Sequence, residues 1–188
     1  MKRLFFVPAV AAVFFLASCG GGSGSNENSS ATPTDTSTAA SADTSTASQA
    51  PGADIPGIDS VSVTDHIKLE GMDAMKYDRT LFKVKAGQKI TLDLKNIGKL
   101  PAAAMSHNVV ILKQGTDVQA FGEAAISAAA TEHIPPSMKN DVIAHTKLLG
   151  PGQSDQITFT LPDPGVYDFL CTFPGHFGTM HGQIVAEP

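Results

Sequence analysis

Cysteine and basic residues are scarce in this sequence, and their scarcity excludes several classes of protein. The chain has two cysteines, Cys19 and Cys171, so it could form one disulfide at most and is not a disulfide-stabilised scaffold. It has 13 Lys and Arg against 18 Asp and Glu, and a net charge of −5 gives no basic footprint for nucleic acid. Walker A, HExxH, CxxC and strand-following GxGxxG motifs are missing, which removes the commonest nucleotide-binding and zinc-protease interpretations.

The first 18 residues have the pattern of a signal peptide. Two basic residues precede an apolar run from residue 4 to residue 16, which is too short to span a bilayer comfortably as a mature helix. The run ends in Leu-Ala-Ser-Cys at residues 16–19, which resembles the lipobox of bacterial lipoproteins. We therefore predict that residues 1–18 are removed and that Cys19 is acylated and anchors the chain to a membrane. The alternative is an ordinary secretory signal with an incidental cysteine.

The next segment has the composition of a flexible tether. Residues 20–54 contain no aromatic residue, no Leu, Ile or Val, and no Lys or Arg. Such a segment cannot bury enough apolar surface to offset the entropy lost on ordering. We predict a lipidated, disordered tether over residues 19–55 and a single folded domain over residues 56–188. As a coil, the tether would reach about 30–35 Å on average, and would hold the domain near a membrane while letting it reorient.

From residue 56 onward, short β-type segments alternate with turn signals. Residues 89–97 show the clearest period of two, with Ile90, Leu92 and Leu94 on one face and polar residues between them. Further strands are predicted at residues 67–70, 81–85, 108–113, 156–161, 166–171 and 183–185. One short helix is predicted in the Ala-rich stretch 118–131, within a long excursion between strands. Seven or eight strands with regular turns predict an all-β, two-sheet sandwich.

A Cys-x4-His-x3-Met spacing directly follows the strand predicted at residues 166–171. It contains Cys171, His176 and Met180, and His107 stands near the start of an upstream strand. Two His, one Cys and one Met are the ligand set of a blue-copper electron-transfer site. A buried structural cysteine and a zinc site are the alternatives, although zinc sites seldom use Met. The remaining histidines are predicted to be surface or core residues rather than ligands: His66, His133, His145 and His181.

Beyond this spacing, the domain resembles the azurins, a family of bacterial cupredoxins. The resemblance is carried by Cys-Thr-Phe-Pro-Gly-His at residues 171–176, Met-Ser-His-Asn at 105–108, Val-Ile-Ala-His-Thr-Lys-Leu-Leu-Gly at 142–150 and Leu-Glu-Gly-Met-Asp-Ala-Met at 69–75. It covers most of residues 66–188. It implies an eight-stranded Greek-key sandwich with one helical flap, and one type 1 copper ion as the cofactor.

The resemblance also implies a role for each residue of the ligand motif. His107, Cys171 and His176 would be the equatorial copper ligands and Met180 the axial ligand. Azurins have a glycine before the first histidine, and its carbonyl faces the metal as a very weak fifth ligand. Here that residue is Ser106, which puts the strength of the carbonyl contact in question. The disulfide near the start of the azurin domain has no counterpart in this sequence.

Residues around the ligands are expected to support them or to meet a partner. Asn108 is expected to tie the two ligand loops together by hydrogen bonds, and Phe173 and Pro174 to stiffen the loop and shield the thiolate. The family implies an apolar surface around the edge of the second histidine, called the docking patch below. It consists of Leu100, Pro101, Ala102, Ala103, Ala104, Met105, Pro174 and Phe177. The alternative is a loop tucked into the core.

Together these features predict a one-electron carrier rather than an enzyme. We expect a type 1 copper protein of the periplasm or cell surface, lipid-anchored to a bacterial membrane. Its expected partners are redox proteins such as c-type cytochromes or a respiratory oxidase or reductase. A copper storage or delivery module and an adhesive scaffold are the rival functions. A closed ligand plane with a buried thiolate argues against copper release, and a scaffold would not need Met180.

Overall fold

The computed structural model describes residues 49–188. The signal peptide predicted at residues 1–18, the acylated Cys19 and the tether up to residue 48 lie outside the described residues. Within the described range, no helix is both long and apolar enough to cross a membrane.

Nine strands and a few short helices make up the described part of the chain. The strands are β1 (His66–Met72), β2 (Lys76–Tyr77), β3 (Leu81–Lys85), β4 (Lys89–Asn96), β5 (Val110–Leu112), β6 (Val142–His145), β7 (Ser154–Thr160), β8 (Gly165–Leu170) and β9 (His181–Glu187). The α-helices are α1 (Ala102–Met105) and α2 (Val118–Ile126). Short 3-10 helices lie at Ile58–Ser60, Ala129–Thr131 and Pro136–Asp141.

The strands form two mixed sheets that pack as a sandwich. One sheet has the order β2-β1-β4-β7 and the other has the order β3-β9-β8-β5-β6. β1 lies parallel to β4 and β3 lies parallel to β9, whereas the remaining neighbours are antiparallel. Sequence neighbours such as β3 and β4 lie in different sheets, so the chain crosses repeatedly between the two layers. The all-β Greek-key sandwich predicted from the sequence is confirmed.

The core follows from the alternation along the strands. On β4, Ile90, Leu92 and Leu94 are at most 1% exposed, and the residues between them face outward. On β1, Ile67 and Leu69 are buried in the same way. Full burial of one such side chain contributes about 1.5–3 kcal/mol to folding. The main core cluster extends to Cys171 and Met180, so the ligand motif begins and ends inside the hydrophobic core.

The helix predicted over residues 118–131 is shorter than expected. Asp117 caps its start by accepting a hydrogen bond from the Ala120 backbone at 3.0 Å, and the helix ends at Ile126. A separate 3-10 turn follows, and two successive residues, Glu132 and His133, then adopt left-handed conformations. Left-handed residues cannot continue a right-handed helix. The helix predicted from the alanine-rich composition is therefore longer than the observed helix.

The sequence patterns did not predict three elements, β2, β6 and α1. β2 has two residues, too few to show any alternation. β6 pairs with β5, but its residues are half-buried or exposed without a period of two. α1 has four residues after Pro101, in a segment that was expected to be a loop. Pairing with neighbouring segments, rather than local pattern, forms the two strands.

Helix α2 packs against the five-stranded sheet through a second hydrophobic cluster. Phe121 joins Val110, Leu112 and Leu170 there, and Phe177 packs against the same cluster. The Phe177 ring lies directly against Gly122, where an added Cβ would come within 2.3 Å of the ring. A glycine at this position thus makes room for an aromatic side chain from the ligand motif.

We predict that Gly122→Ala lowers the free energy of unfolding by roughly 1–3 kcal/mol, because the methyl group would displace the Phe177 ring. Helix propensity alone predicts the opposite sign, since Ala is favoured over Gly by about 1 kcal/mol within a helix. Chemical denaturation of the metal-free protein measures the difference. Gly178→Ala is the control, because a Cβ there meets no atom within 4 Å. A Gly122→Ala protein as stable as the wild type would contradict the packing argument.

Candidate metal centre

Backbone hydrogen bonds to Leu149 fix the position of His107. It lies just before β5 and forms an isolated bridge with Leu149. The His107 N–H donates to the Leu149 carbonyl at 3.0 Å, and the Leu149 N–H donates back at 2.8 Å. Next to it, the Ser106 hydroxyl donates to the Ala102 carbonyl at 2.7 Å and closes α1. The histidine is therefore held by main-chain contacts that do not involve its ring.

Successive turns shape the loop from Cys171 to Met180. The His176 N–H donates to the Phe173 carbonyl at 3.0 Å, and the Met180 N–H donates to the His176 carbonyl at 2.8 Å. The Cys171 N–H then donates to the Met180 carbonyl at 2.9 Å, so the two ends of the loop are bonded to each other. Cys171, His176 and Met180 consequently lie at one end of the sandwich, and all three are buried.

Three potential ligand atoms meet at this end. The Cys171 Sγ lies 3.6 Å from His176 Nδ1 and 4.0 Å from His107 Nδ1. One ligand atom from each of the three residues lies within 4.8 Å of the others, and the two imidazole rings are 5.1 Å apart. Metal bonds of about 2.0 Å to nitrogen and 2.3 Å to sulfur, at an angle of about 110–130°, put a nitrogen and a sulfur donor about 3.5–3.9 Å apart. The spacing of these donors therefore fits one metal ion.

Burial sets the protonation state of each donor in the metal-free protein. It raises the pKa of the Cys171 thiol to about 11, although hydrogen bonds from the Asn108 and Phe173 backbones oppose the shift. It lowers the pKa of His176 to about 4, and the charge of His107 adds to this effect. The pKa of His107 is also lowered, mainly by burial, although the Met72 backbone and Asp73 act against it. At neutral pH the site thus contains a thiol and two neutral imidazoles, which are ready to bind a cation.

Two details show how closed the site is. His107 Nε2 is buried and has no hydrogen-bond partner of good geometry. Met180 is fully buried and belongs to the same hydrophobic cluster as Cys171. A thioether beside a buried thiol and imidazoles is a soft donor set, which suits copper better than zinc.

Asn108 connects the two segments that supply the donors. Its side-chain oxygen accepts a hydrogen bond from the Thr172 N–H at 2.9 Å, and its amide donates to the Thr172 hydroxyl at 2.8 Å. Its backbone N–H faces the Cys171 sulfur, and its carbonyl accepts a bond from the Tyr77 hydroxyl. Sequence reasoning did not single out Thr172 or Tyr77, because neither belongs to a ligand spacing or a periodic pattern.

Aromatic rings cover the loop that contains His176. The Phe173 ring lies 4.8 Å from the His176 ring, and the His133 ring meets Phe173 edge-on at 5.9 Å. Phe173 and Pro174 are both half-buried. His176 itself is nearly fully buried, so little of its ring reaches solvent from this end.

The docking patch divides into an exposed part and a packed part. Leu100 is 45% exposed, and Pro101 and the three alanines after it are also exposed. Met105, Pro174 and Phe177 are half-buried, and Phe177 packs against the second hydrophobic cluster. The segment from residue 100 to residue 104 is therefore on the surface rather than tucked into the core.

The other histidines lie away from the donor cluster. His66 pairs with Asp93 at 2.7 Å on the outer face of the four-stranded sheet. The ring nitrogens of the other three lie next to backbone carbonyls, those of Ala125, Thr146 and Phe177, at 2.8–3.0 Å. Among the described residues, His107, Cys171 and His176 form the one cluster of His, Cys, Asp or Glu that could hold a metal ion.

Comparison with known proteins finds relatives that cover this domain. Residues 63–187 match the family described as copper binding proteins, plastocyanin/azurin family. An azurin from Alcaligenes faecalis is 36% identical over 130 residues, which are 63% of this chain and 94% of that azurin. Outer membrane protein H.8 from Neisseria gonorrhoeae is 37% identical over 122 residues, which are 62% of this chain and 64% of that protein.

Solved structures agree with the relatives found by sequence. Reduced auracyanin from Roseiflexus castenholzii is 39% identical and superposes with a TM-score of 0.61, covering 68% of this chain and 100% of auracyanin. The matched family region includes the donor cluster and Met180. Copper is therefore the cofactor of this site, and the chain belongs to the plastocyanin/azurin family of copper-binding proteins.

Proposed function

We propose that this protein is a type 1 copper protein that carries one electron at a time between redox proteins. The observation that carries the proposal is the set of three buried donors, His107, Cys171 and His176, with their ligand atoms within 4.8 Å. These three residues and the buried Met180 would hold the copper ion. Bound there, copper supplies a one-electron couple between Cu(II) and Cu(I).

The backbone contacts favour electron transfer over copper storage or delivery. Backbone hydrogen bonds of 2.8–3.0 Å join His107 to Leu149 and Cys171 to Met180. Donors held in this way keep nearly the same positions in both oxidation states, so little rearrangement accompanies the gain or loss of an electron. A delivery site needs donors that can open to release the ion, and these donors are buried.

The fifth, weak contact to the Ser106 carbonyl belongs to the same proposal. Ser106 is buried, and its hydroxyl is bonded to the Ala102 carbonyl. This bond directs the side chain toward α1, so a serine can replace the glycine of azurins without filling the metal site. We propose that the Ser106 carbonyl stays a very weak axial contact.

We propose that electrons enter and leave through His176 and the docking patch. Leu100 and the residues up to 104 supply an exposed apolar surface, and an exposed apolar surface rimmed by polar groups is a site for protein partners. Partners such as a c-type cytochrome or a respiratory oxidase or reductase would dock there. The protein has no catalytic role in this proposal.

We further propose that acylated Cys19 holds the protein at a bacterial membrane, in the periplasm or at the cell surface. The lipobox-like end of the apolar run supports this location. The relative named outer membrane protein H.8 points in the same direction. A tether of about 30–35 Å would raise the effective concentration of a partner anchored in the same membrane.

The purified protein with one equivalent of Cu(II) should show an intense thiolate-to-copper charge-transfer band and a narrow copper hyperfine splitting. Visible absorption and electron spin resonance measure both. Cys171→Ser should abolish the band, whereas Cys19→Ala, a matched change at the other cysteine, should leave it unchanged. Bound copper without the band in the folded wild type would overturn the assignment of Cys171 and the electron-carrier function. Rapid loss of copper to a chelator would favour delivery instead.

Binding of Cu(II) at pH 7 should release about one proton per ion. The pKa of Cys171 is raised to about 11, so the metal-free thiol is protonated and must lose its proton when it binds. His107 and His176 have lowered pKa values, so both are already neutral and release none. As the pH falls through the lowered pKa values of His107 and His176, the metal-free imidazoles bind protons as well, and the release should rise above one.

Titration calorimetry in buffers with different ionisation enthalpies counts these protons. In Cys171→Ser the release at pH 7 should fall to nearly zero. A wild-type release close to zero or close to two at pH 7 would contradict the protonation states inferred from burial.

Cys19→Ala, made with an ordinary cleavable secretory signal in place of residues 1–18, should move the protein from the membrane fraction to the soluble fraction of the cells that make it. The lipid chain attached at Cys19 would be lost, and a single apolar segment removed with the signal peptide cannot replace it. Immunoblots of separated fractions measure the distribution. Ser18→Ala, which keeps a small residue before the cysteine, is the control and should stay with the membrane. A Cys19→Ala protein that stays in the membrane fraction would contradict the anchor.

A further inference from the structure

Tyr77 is a buried side chain that neither binds the metal nor completes a sequence motif. It ends the two-residue strand β2 and is 5% exposed. It belongs to the hydrophobic cluster that contains Cys171 and Met180. Its ring packs against Phe169 with the ring centroids 5.5 Å apart. Packing would be satisfied equally well by phenylalanine, so the hydroxyl group calls for its own explanation.

The hydroxyl group of Tyr77 is bonded to the residue that follows His107. It donates a hydrogen bond of 2.5 Å to the carbonyl of Asn108, 31 residues away in the chain. Burial raises the pKa of Tyr77 well above its usual value, and the nearby Cys171 raises it further. The phenol therefore keeps its proton and stays a donor over the whole neutral range.

Asn108 is held at three points, and each contact constrains a different group. The side chain is bonded to Thr172. The backbone N–H faces the Cys171 sulfur. The carbonyl accepts from Tyr77. The Thr172 contacts fix the side chain, whereas the Tyr77 contact fixes the main chain beside the N–H that faces the sulfur.

We propose that Tyr77 is a positioning residue: its hydroxyl group holds the Asn108 main chain so that the Asn108 N–H donates to the Cys171 sulfur, and this raises the reduction potential of the bound copper. The inference rests on the proposed electron-carrier function. A hydrogen bond to a thiolate withdraws electron density from the metal–sulfur bond. That bond stabilises Cu(II) more than Cu(I), so weakening it favours the reduced ion and raises the potential. A weaker N–H···S contact therefore favours the oxidised ion.

Tyr77→Phe removes this hydroxyl and keeps the ring. At a solution potential equal to the wild-type midpoint, the wild-type protein contains equal amounts of Cu(II) and Cu(I). At the same potential the variant should contain about threefold to tenfold more Cu(II) than Cu(I). A tenfold change corresponds to about 59 mV for a one-electron couple. The charge-transfer band should move to longer wavelength. Amide hydrogen exchange at Asn108, measured by NMR in the diamagnetic Cu(I) form and in the metal-free protein, should become faster.

Tyr167→Phe is the matched control. Tyr167 is 2% exposed, and its hydroxyl donates to the Asp163 carbonyl at 2.8 Å, before β8 begins. Both variants thus lose a buried hydroxyl bonded to a backbone carbonyl, and both should lower the midpoint of thermal unfolding. Only Tyr77→Phe should shift the potential, the band and the Asn108 exchange rate. Equal shifts in both variants would show a general effect of core stability and would overturn the inference.

A second measurement does not depend on the stability of Tyr77→Phe. The chain has two tyrosines, so 3-fluorotyrosine incorporated in the Tyr167→Phe background labels Tyr77 alone. The fluorine makes the phenol a stronger donor and should shift the potential in the opposite direction, toward Cu(I). A wild type without the blue band would overturn the proposed function. With the band present, unchanged potentials in the phenylalanine and fluorinated proteins would overturn the role of Tyr77 alone.

Discussion

The approach of His107 to Cys171 is the contact on which the rest of the site depends. The two residues are 64 positions apart, yet Nδ1 and Sγ lie 4.0 Å apart in a region from which solvent is excluded. Burying polar groups is unfavourable unless neighbouring contacts compensate. Here the compensation comes from main-chain hydrogen bonds to Leu149 and Met180 and from the Asn108–Thr172 pair. The positions of the donors are therefore set by the fold, and the metal has little to rearrange.

Burial has opposite effects on the two kinds of donor, and both effects prepare the site for a cation. It raises the pKa of the thiol and lowers the pKa values of the imidazoles, so every donor is kept neutral in the metal-free protein. Neutral imidazoles are ready to bind, whereas the thiolate forms only when a cation compensates its charge. The same exclusion of water strengthens each hydrogen bond to the sulfur. The exclusion of water from the core thus governs both the affinity of the site for a cation and the reduction potential of the bound copper.

Much of this arrangement was predictable from sequence, and the exceptions share a cause. Period-two alternation located β4 and the other long strands because one face of each is buried. The donor residues were predicted because chemistry restricts their types and spacing, and the structure brings His107, Cys171 and His176 together. β2 and β6 were missed because long-range pairing, rather than local pattern, makes them strands. Tyr77 was missed for the same reason, since its role depends on a hydrogen bond to a residue 31 positions away.

The long excursion between β5 and β6 supplies no metal donor, yet it shapes the loop that does. The segment between β5 and β6 covers two aromatic side chains of that loop. The His133 ring packs against Phe173, and the Phe177 ring lies against Gly122 of helix α2. Phe173 in turn packs against the His176 ring at 4.8 Å. Hydrogen bonds of Thr172 with Asn108 and of Thr179 with Met75 hold the loop between Cys171 and Met180, and these aromatic contacts further limit how far it can move. Helix α2 and the segment after it therefore act on the geometry of His176 through packing, although they supply no metal donor.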